Sequence, residues 1–135
     1  MRSSLAAVCA AALLAPALLA PMPALAGEGG APDGEHIFHS RCQICHTVAA
    51  NGKPGQAAPN LRGVVGRPAA STAFRGYSAA LRASGLTWTP ALIDTFLQGP
   101  AKLVPGTKMA IILKDPAERA ALVGWLAALS PPAGR

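Results

Sequence analysis

Two cysteines separated by two residues, with a histidine directly after the second, constrain this chain more than any other stretch of its sequence. The five residues are Cys42-Gln43-Ile44-Cys45-His46. Two thiols at this spacing can add across the two vinyl groups on one edge of a porphyrin and form thioether bonds. The next residue is then held beneath the iron, where an imidazole can bind the metal through one ring nitrogen. The pattern predicts one covalently attached haem c, with Cys42 and Cys45 as its anchors and His46 as an axial ligand of its iron.

Two other kinds of site could use the same side chains. A zinc site would need Cys42, Cys45 and His46 together with a fourth ligand such as His39, although closely spaced zinc ligands usually come as two separated pairs. A dithiol oxidoreductase would place the cysteines in a βαβ setting, and the sequence has no visible strand pattern. Haem attachment is therefore the favoured interpretation.

The first 26 residues have the composition of an export signal. Arg2 supplies positive charge, residues 5–19 are rich in alanine and leucine, and Ala24-Leu25-Ala26 resembles a small-x-small cleavage site. Prolines interrupt this run, which is shorter than the roughly 20 apolar residues of a membrane-spanning helix. We therefore expect residues 1–26 to be a cleaved secretory signal peptide and residues 27–135 to form one periplasmic domain. An uncleaved anchor is the alternative.

Removal of this segment changes the residue inventory. Cys42 and Cys45 become the only cysteines, Met109 becomes the only methionine, and loss of Arg2 leaves 11 basic against 6 acidic residues, a net charge of about +5. A modestly basic chain with no long basic run and few aromatic residues is a poor candidate for nucleic-acid binding. A basic surface that meets an acidic protein is a better interpretation of this charge.

The first half of the mature chain is poor in regular structure. Asp33 is a plausible N-cap for a first helix that runs toward the cysteines, and a short second helix is predicted from Tyr77 to Ser84, ending at Gly85. Between them, residues 47–76 are rich in Gly, Pro and Ala and show no sustained periodicity. Such a long loop is unusual in a compact domain unless something organises it, and a buried porphyrin would supply the apolar surface it needs.

The second half carries two clearer helices. One begins at Thr89-Pro90, an N-cap followed by a first-turn proline, and ends at Gly99-Pro100. The other begins at Asp115-Pro116-Ala117-Glu118, which resembles a capping box, and ends before Pro131-Pro132. An apolar stripe of Leu122, Trp125, Leu126 and Leu129 marks its buried face. The predicted fold class is all-α, small and rich in loops.

Met109 lies at the end of a proline- and glycine-containing loop, Pro105-Gly106-Thr107-Lys108-Met109. Core methionines are seldom found in such loops. If a haem is bound, the Met109 thioether is the natural sixth ligand opposite His46, and a soft sulfur ligand favours ferrous iron and raises the reduction potential. The alternative is a methionine that packs in irregular space beneath the loop.

The sequence resembles class I cytochrome c, in particular its mitochondrial and bacterial c2-type members, over nearly all of residues 33–129. Several motifs match in the family's order: Cys42-Gln43-Ile44-Cys45-His46-Thr47-Val48, Pro59-Asn60-Leu61-Arg62-Gly63-Val64-Val65-Gly66-Arg67, Tyr77-Ser78, Gly85-Leu86-Thr87-Trp88, the loop ending at Met109, and Leu122 to Leu126. The resemblance implies a small single-domain cytochrome c fold, with about four helices and long loops wrapped around one covalently bound haem.

The resemblance also implies roles for individual residues. The carbonyl of Pro59 would accept a hydrogen bond from His46 and orient its ring. Arg67, Tyr77 and Trp88 match positions that hold the haem propionates, and each carries a suitable donor. Phe96 matches an aromatic position beside the axial sulfur, although its helical spacing with Leu92 and Ile93 would equally suit a residue of the core. The crossing of the first and last helices would involve Gly34, Phe38 and Trp125.

Some residues depart from the family's pattern. Leu81 stands where an asparagine is usual near the haem, and Ala58 stands where a glycine commonly precedes Pro59. The lysine ring around the exposed haem edge is represented here only by Lys102, Lys108 and Arg41, so docking is expected to depend more on apolar contact. His36 and His39 match no family role and are expected on the helix surface.

The function implied is that of a soluble periplasmic one-electron carrier, not an enzyme. With His46 and Met109 both bound, the iron would have no open position for a substrate. Expected partners are redox proteins, such as a quinol-cytochrome c reductase-type donor, an oxidase, a reaction centre or a periplasmic dehydrogenase, met transiently at the membrane by a monomer. The alternative is a peroxidase-like enzyme or gas-binding haem protein whose Met109 is easily displaced.

Overall fold

The computed structural model describes residues 30–131. The predicted signal peptide, residues 1–26, lies outside this range, as do the last four residues. Within residues 30–131 there are helices and loops but no strand, and the only β-type pairings are isolated bridges between Thr47 and Asn60 and between Pro68 and Thr87. The helices are α1 (Gly34–Ile37), α2 (Ala79–Ala83), α3 (Pro90–Gln98), α4 (Pro100–Leu103) and α5 (Pro116–Ala128). The all-α prediction is confirmed.

The first helix begins where the sequence predicts and then changes its pitch. The carboxylate of Asp33 accepts the N–H of Glu35 at 3.0 Å and caps α1. From Phe38 to Cys42 the backbone continues as a π-helical turn, in which the N–H of Gln43 donates to the carbonyl of Phe38 at 2.9 Å. The sequence pattern did not predict this turn. The turn ends at Cys42, the first residue of the cysteine motif.

The helices after the long loop show two differences from the predictions. The second begins at Ala79 and not at Tyr77, because the Ser78 hydroxyl accepts the N–H of Leu81 at 3.1 Å and makes Ser78 the cap. The described chain also has a fifth helix, α4, where four helices were expected. Pro100 ends α3, but its fixed φ angle also suits the first position of a new helix, and α4 starts there.

The two longest helices begin at the predicted caps. The Thr89 hydroxyl accepts the N–H of Leu92 at 3.1 Å at the start of α3. At the start of α5 the Asp115 carboxylate accepts the N–H of Ala117 at 2.8 Å. In a capping box the carboxylate of Asp115 would accept the backbone N–H of Glu118 and not that of Ala117. Asp115 therefore acts here as a simple N-cap.

Helices α1 and α5 cross at Gly34, as the resemblance implied. A Cβ at Gly34 would lie 2.6 Å from Cβ of Trp125 and closer still to the Ala121 carbonyl, so the crossing needs glycine. The rings of Phe38 and Trp125 pack beside it with their centroids 5.2 Å apart. This crossing closes one side of the core, in which Phe38 and Leu122 are almost completely buried.

Residues 47–76 contain no helix, as predicted. Within residues 30–131 no helix has the length and apolar character that crossing a membrane requires.

Candidate haem-binding site

A cavity of about 410 Å³ lies between the loop 47–76, α3 and the segment that follows α4. Its volume is in the range of cavities that take a prosthetic group or another small molecule. Apolar side chains dominate its wall, among them Leu61, Val64, Ile93 and Leu97. All eight residues predicted for the site line it: Cys42, Cys45, His46, Pro59, Arg67, Tyr77, Trp88 and Met109.

The imidazole of His46 is oriented by the backbone of Pro59. Its Nδ1 lies 2.8 Å from the Pro59 carbonyl oxygen. Because a carbonyl can only accept, Nδ1 carries the proton and Nε2 keeps its lone pair. Burial lowers the pKa of His46, while the hydrogen bond to Pro59 opposes this shift. The ring is therefore neutral and directional, as a metal ligand must be.

Gly55 packs directly on the cysteine motif, a contact that the sequence pattern did not reveal. A Cβ at this position would strike the Cys45 carbonyl and lie 2.8 Å from the carbonyl carbon of His46. The N–H of Gly55 donates to the Ala58 carbonyl at 2.9 Å, and this turn brings Pro59 back toward His46. In the sequence Gly55 is one of several loop glycines, and nothing distinguishes it from the others.

Asn60 is a second residue whose role the sequence pattern did not reveal. It is 4 % exposed. Its amide donates to the carbonyls of Ala49 (2.8 Å) and Lys53 (3.0 Å), and its side-chain oxygen accepts the N–H of Arg62 at 2.8 Å. These bonds close the loop beside Pro59. The only available signal was its place directly after Pro59 in the matching motif.

No disulfide bond joins Cys42 to Cys45. Burial raises the pKa of Cys42 to about 11; the charge of Arg41 lowers it and the neighbouring Cys45 raises it further. Thiol-redox enzymes depress the pKa of their reactive cysteine, so this environment argues against a dithiol oxidoreductase.

The arrangement of His39 argues against the zinc alternative. Its Nδ1 is hydrogen-bonded to the side-chain oxygen of Gln43, and its Nε2 lies 3.7 Å from a carboxylate oxygen of Glu35. Within residues 30–131 no three His, Cys, Asp or Glu side chains converge to hold a metal ion. His36 and His39 are both exposed, as expected.

Arg67, Tyr77 and Trp88, the residues that the resemblance associates with the haem propionates, all line the cavity. Arg67 also donates to the backbone carbonyls of Asn60 (2.8 Å) and Arg62 (3.0 Å), a structural role that the sequence did not suggest. Burial lowers the pKa of Arg67, and the Tyr77 hydroxyl opposes this. Tyr77 itself is hydrogen-bonded to Thr72 at 2.7 Å. The buried Trp88 ring packs on Phe96 with centroids 5.1 Å apart.

Met109 enters the cavity from residues 104–115, which join α4 to α5 and are called the methionine segment below. Its side chain is half-buried. The ammonium group of the preceding Lys108 donates to the Gly76 carbonyl at 3.1 Å and ties the segment to the long loop. Leu81, which departs from the family's pattern, and Phe96, which matches it, line the same cavity. The wall is apolar at both positions.

A protein-family model for cytochrome c matches residues 31–130. This chain belongs to the cytochrome c family. It is 44 % identical to cytochrome c2 of Rhodomicrobium vannielii over 95 residues, which cover 70 % of this chain and 74 % of that protein. It is 39 % identical to cytochrome c2 of Rhodopila globiformis over 106 residues, which cover 77 % and 97 %. The structure of cytochrome cH from Methylobacterium extorquens superposes with a TM-score of 0.63 at 37 % identity, covering 70 % of this chain and 94 % of that one.

Family membership settles the cofactor and the general activity. Cytochromes c carry one covalently bound haem c with its iron and act as electron carriers between redox partners. The cavity fits that group, because two cysteine sulfurs that no disulfide joins, a neutral imidazole and a thioether all line one apolar space, and Arg67 at its wall can meet negative charge.

Proposed function

We propose that this cytochrome c is exported to the periplasm and carries one electron at a time on a haem attached to Cys42 and Cys45, with His46 and Met109 as axial ligands. One observation carries the proposal. Both cysteines and both candidate ligands line a single apolar cavity, and the Pro59 carbonyl occupies Nδ1 of His46, which leaves Nε2 for the iron.

When bound, the haem supplies a metal that alternates between ferric and ferrous states. The chain has three tasks around it. Pro59 fixes the ring of His46; the soft sulfur of Met109 favours the ferrous state; and the apolar wall keeps water away, which limits reorganisation when the charge changes. Arg67, Tyr77 and Trp88 are the proposed donors to the propionates.

The titratable side chains at the cavity support a carrier over an enzyme. Among the described residues the lining includes arginine, lysine, cysteine, histidine and tyrosine but no aspartate or glutamate. A peroxidase-like reaction needs an acid/base group positioned beside an open iron. Here the one histidine of the wall is held by Pro59, and Met109, the proposed sixth ligand, lines the same cavity.

The mouth of the cavity supports docking to redox proteins. Ile44 is 77 % exposed and Ile111 is 45 % exposed, and both line the cavity together with the basic side chains of Arg41 and Lys108. A partner with an apolar centre and an acidic rim would complement this surface. We propose membrane redox complexes or periplasmic dehydrogenases as such partners.

The absorption spectrum of the exported ferric holoprotein tests the ligation. We expect the weak long-wavelength band of sulfur-to-iron charge transfer in the wild type and its loss in Met109→Ala. Ile112→Ala is the matched control, because Ile112 is an exposed apolar residue of the same segment that does not line the cavity. Absence of the band from the wild-type spectrum would reject Met109 as the ligand and favour a displaceable sixth ligand. A Met109→Ala spectrum identical to that of the wild type would do the same.

A further inference from the structure

One charged side chain of the described residues is buried, and the proposed function does not use it. Arg119 lies in the first half of α5, is 8 % exposed and lines no part of the haem cavity. A buried guanidinium is costly unless its donors are satisfied. The contacts of Arg119 therefore indicate what it is there to hold.

The guanidinium of Arg119 joins three parts of the chain. Its Nε donates to Oδ1 of Asp94 in α3 at 2.8 Å. One terminal nitrogen donates to the carbonyls of Leu113 (3.0 Å) and Lys114 (2.8 Å) at the end of the methionine segment. The second carboxylate oxygen of Asp94 accepts from Gln98 at 2.7 Å, which fixes the anion on its own helix. One cation thus ties α5 and the methionine segment to α3.

Leu113, one of the two residues whose carbonyls Arg119 holds, is the most buried residue of the methionine segment. Leu113 is 1 % exposed, and its N–H donates to the Leu97 carbonyl at 2.9 Å. Residues 110–112, between Met109 and this anchor, are exposed. Met109 is only four residues from Leu113, so it can move at most about 14 Å from that anchor with the chain fully extended. The anchor therefore limits how far Met109 can withdraw from the cavity.

We infer that Arg119, braced by Asp94, is a positioning residue for Met109: it fixes the C-terminal end of the methionine segment and opposes withdrawal of the sulfur from the iron. This inference rests on the proposed ligation by Met109. Without Arg119, the carbonyls of Leu113 and Lys114 lose their charged hydrogen-bond donor. They then lower their free energy by turning outward and accepting hydrogen bonds from water. The segment then opens at lower cost while the remaining core stays packed.

Imidazole binding to the ferric holoprotein measures this opening, because imidazole reaches the iron only when Met109 leaves. Arg119→Met keeps the length of the side chain and removes its donors. Arg119→Lys keeps the charge and loses the fork of donors. Asp94→Asn removes the anion that braces Arg119. Ile37→Val is the control, because it trims a buried side chain in α1, which contributes no residue to the cavity wall. Denaturant midpoints followed by far-UV circular dichroism report global stability for each variant.

We expect Arg119→Met to raise the apparent affinity for imidazole about tenfold, in keeping with the loss of a charged hydrogen bond. Arg119→Lys and Asp94→Asn should give smaller increases, and Ile37→Val should give none despite its lower denaturant midpoint. If Arg119→Met does not fold, the comparison of Arg119→Lys and Asp94→Asn with Ile37→Val decides the question in the same way.

Two results would overturn the inference, and they are distinguishable. If the Arg119 and Asp94 variants lose global stability but bind imidazole as tightly as Ile37→Val does, Arg119 only stabilises the fold and Met109 remains the ligand. If the wild type lacks the sulfur-to-iron band, the ligation by Met109 fails first and the inference fails with it.

Discussion

At the scale of single residues, backbone carbonyls form hydrogen bonds with several side chains that line the cavity. Pro59 orients His46, Asn60 and Arg62 receive the guanidinium of Arg67, and Gly76 receives the ammonium of Lys108. A carbonyl has a fixed direction and does not titrate near neutral pH. The ion pair of Arg119 with Asp94 is different, because its acceptor is a carboxylate, which does titrate.

The pH dependence of stability tests that ion pair. The hydrogen bond from Arg119 lowers the pKa of Asp94 below its ordinary value near 3.8, burial opposes this shift, and the hydrogen bond from Gln98 lowers the pKa further. A depressed pKa in the folded state means that the charged carboxylate stabilises the fold above its unfolded-state pKa, and that this contribution is lost as the pH falls through the folded-state pKa.

We therefore expect Asp94→Asn to be less stable than the wild type at neutral pH. Because Asp94 is partly exposed, solvent screening limits the difference to on the order of 1 kcal/mol. The difference should shrink once the pH falls below about 4 and vanish below the pKa of the folded carboxylate. Denaturant unfolding of both proteins from neutral to acidic pH measures it. A difference that stays constant over this range would show that the charge of Asp94 does not stabilise the fold.

The sequence predicts the role of a residue when a short motif contains the groups that the role requires. Cys42, Cys45 and His46 lie within one five-residue motif, and Met109 is the only methionine after the predicted signal, so the sequence alone predicts a role for all four. It predicts none for Gly55 or Arg119, and it does not reveal the hydrogen bonds of Asn60. Their roles depend on partners brought near by folding, such as Asp94, which is 25 residues from Arg119.

At the scale of helices, predictions succeeded where a cap fixes the boundary. Thr89 and Asp115 start α3 and α5, because a side-chain acceptor meets an N–H two or three residues later. The π-helical turn at Phe38–Cys42 and the short helix α4 were not predicted. A turn with its hydrogen bonds shifted by one residue, or a helix of one turn, leaves no periodicity that a sequence pattern could reveal.

The crossing of α1 and α5 predicts opposite effects for two glycines. Gly34→Ala should lower the free energy of unfolding by about 1–3 kcal/mol, because the new Cβ overlaps the α5 backbone and the helices must separate. Gly124→Ala, within α5, should raise it by about 0.5–1 kcal/mol, since no atom lies within 4 Å of the new Cβ and alanine favours the helix. Denaturant unfolding of the holoprotein measures both. Equal effects of the two substitutions would contradict the close crossing.

At the scale of the whole molecule, the fold is built around the cavity. An apolar space of about 410 Å³ leaves the side chains of its wall without packing partners when nothing fills it. The long loop 47–76 has no helix of its own to keep it in place. The haem is therefore expected to be part of the core.

We expect a Cys42→Ser, Cys45→Ser double variant, purified without haem, to lose most of its helical far-UV circular dichroism signal. Ile44→Ser is the matched control: this residue lies between the cysteines, is largely exposed, and should leave haem attachment and helicity intact. A haem-free double variant with native helicity would show that the polypeptide core suffices for folding.

We expect the protein itself to fill both axial positions of the iron, as the proposed carrier function requires. Exposure of the ferrous wild-type holoprotein to carbon monoxide tests this most directly. We expect carbon monoxide to leave the absorption spectrum unchanged at neutral pH, because His46 and Met109 stay bound. Rapid formation of a carbon monoxide complex by the folded wild type would contradict it and identify a haem protein with an open or readily opened iron.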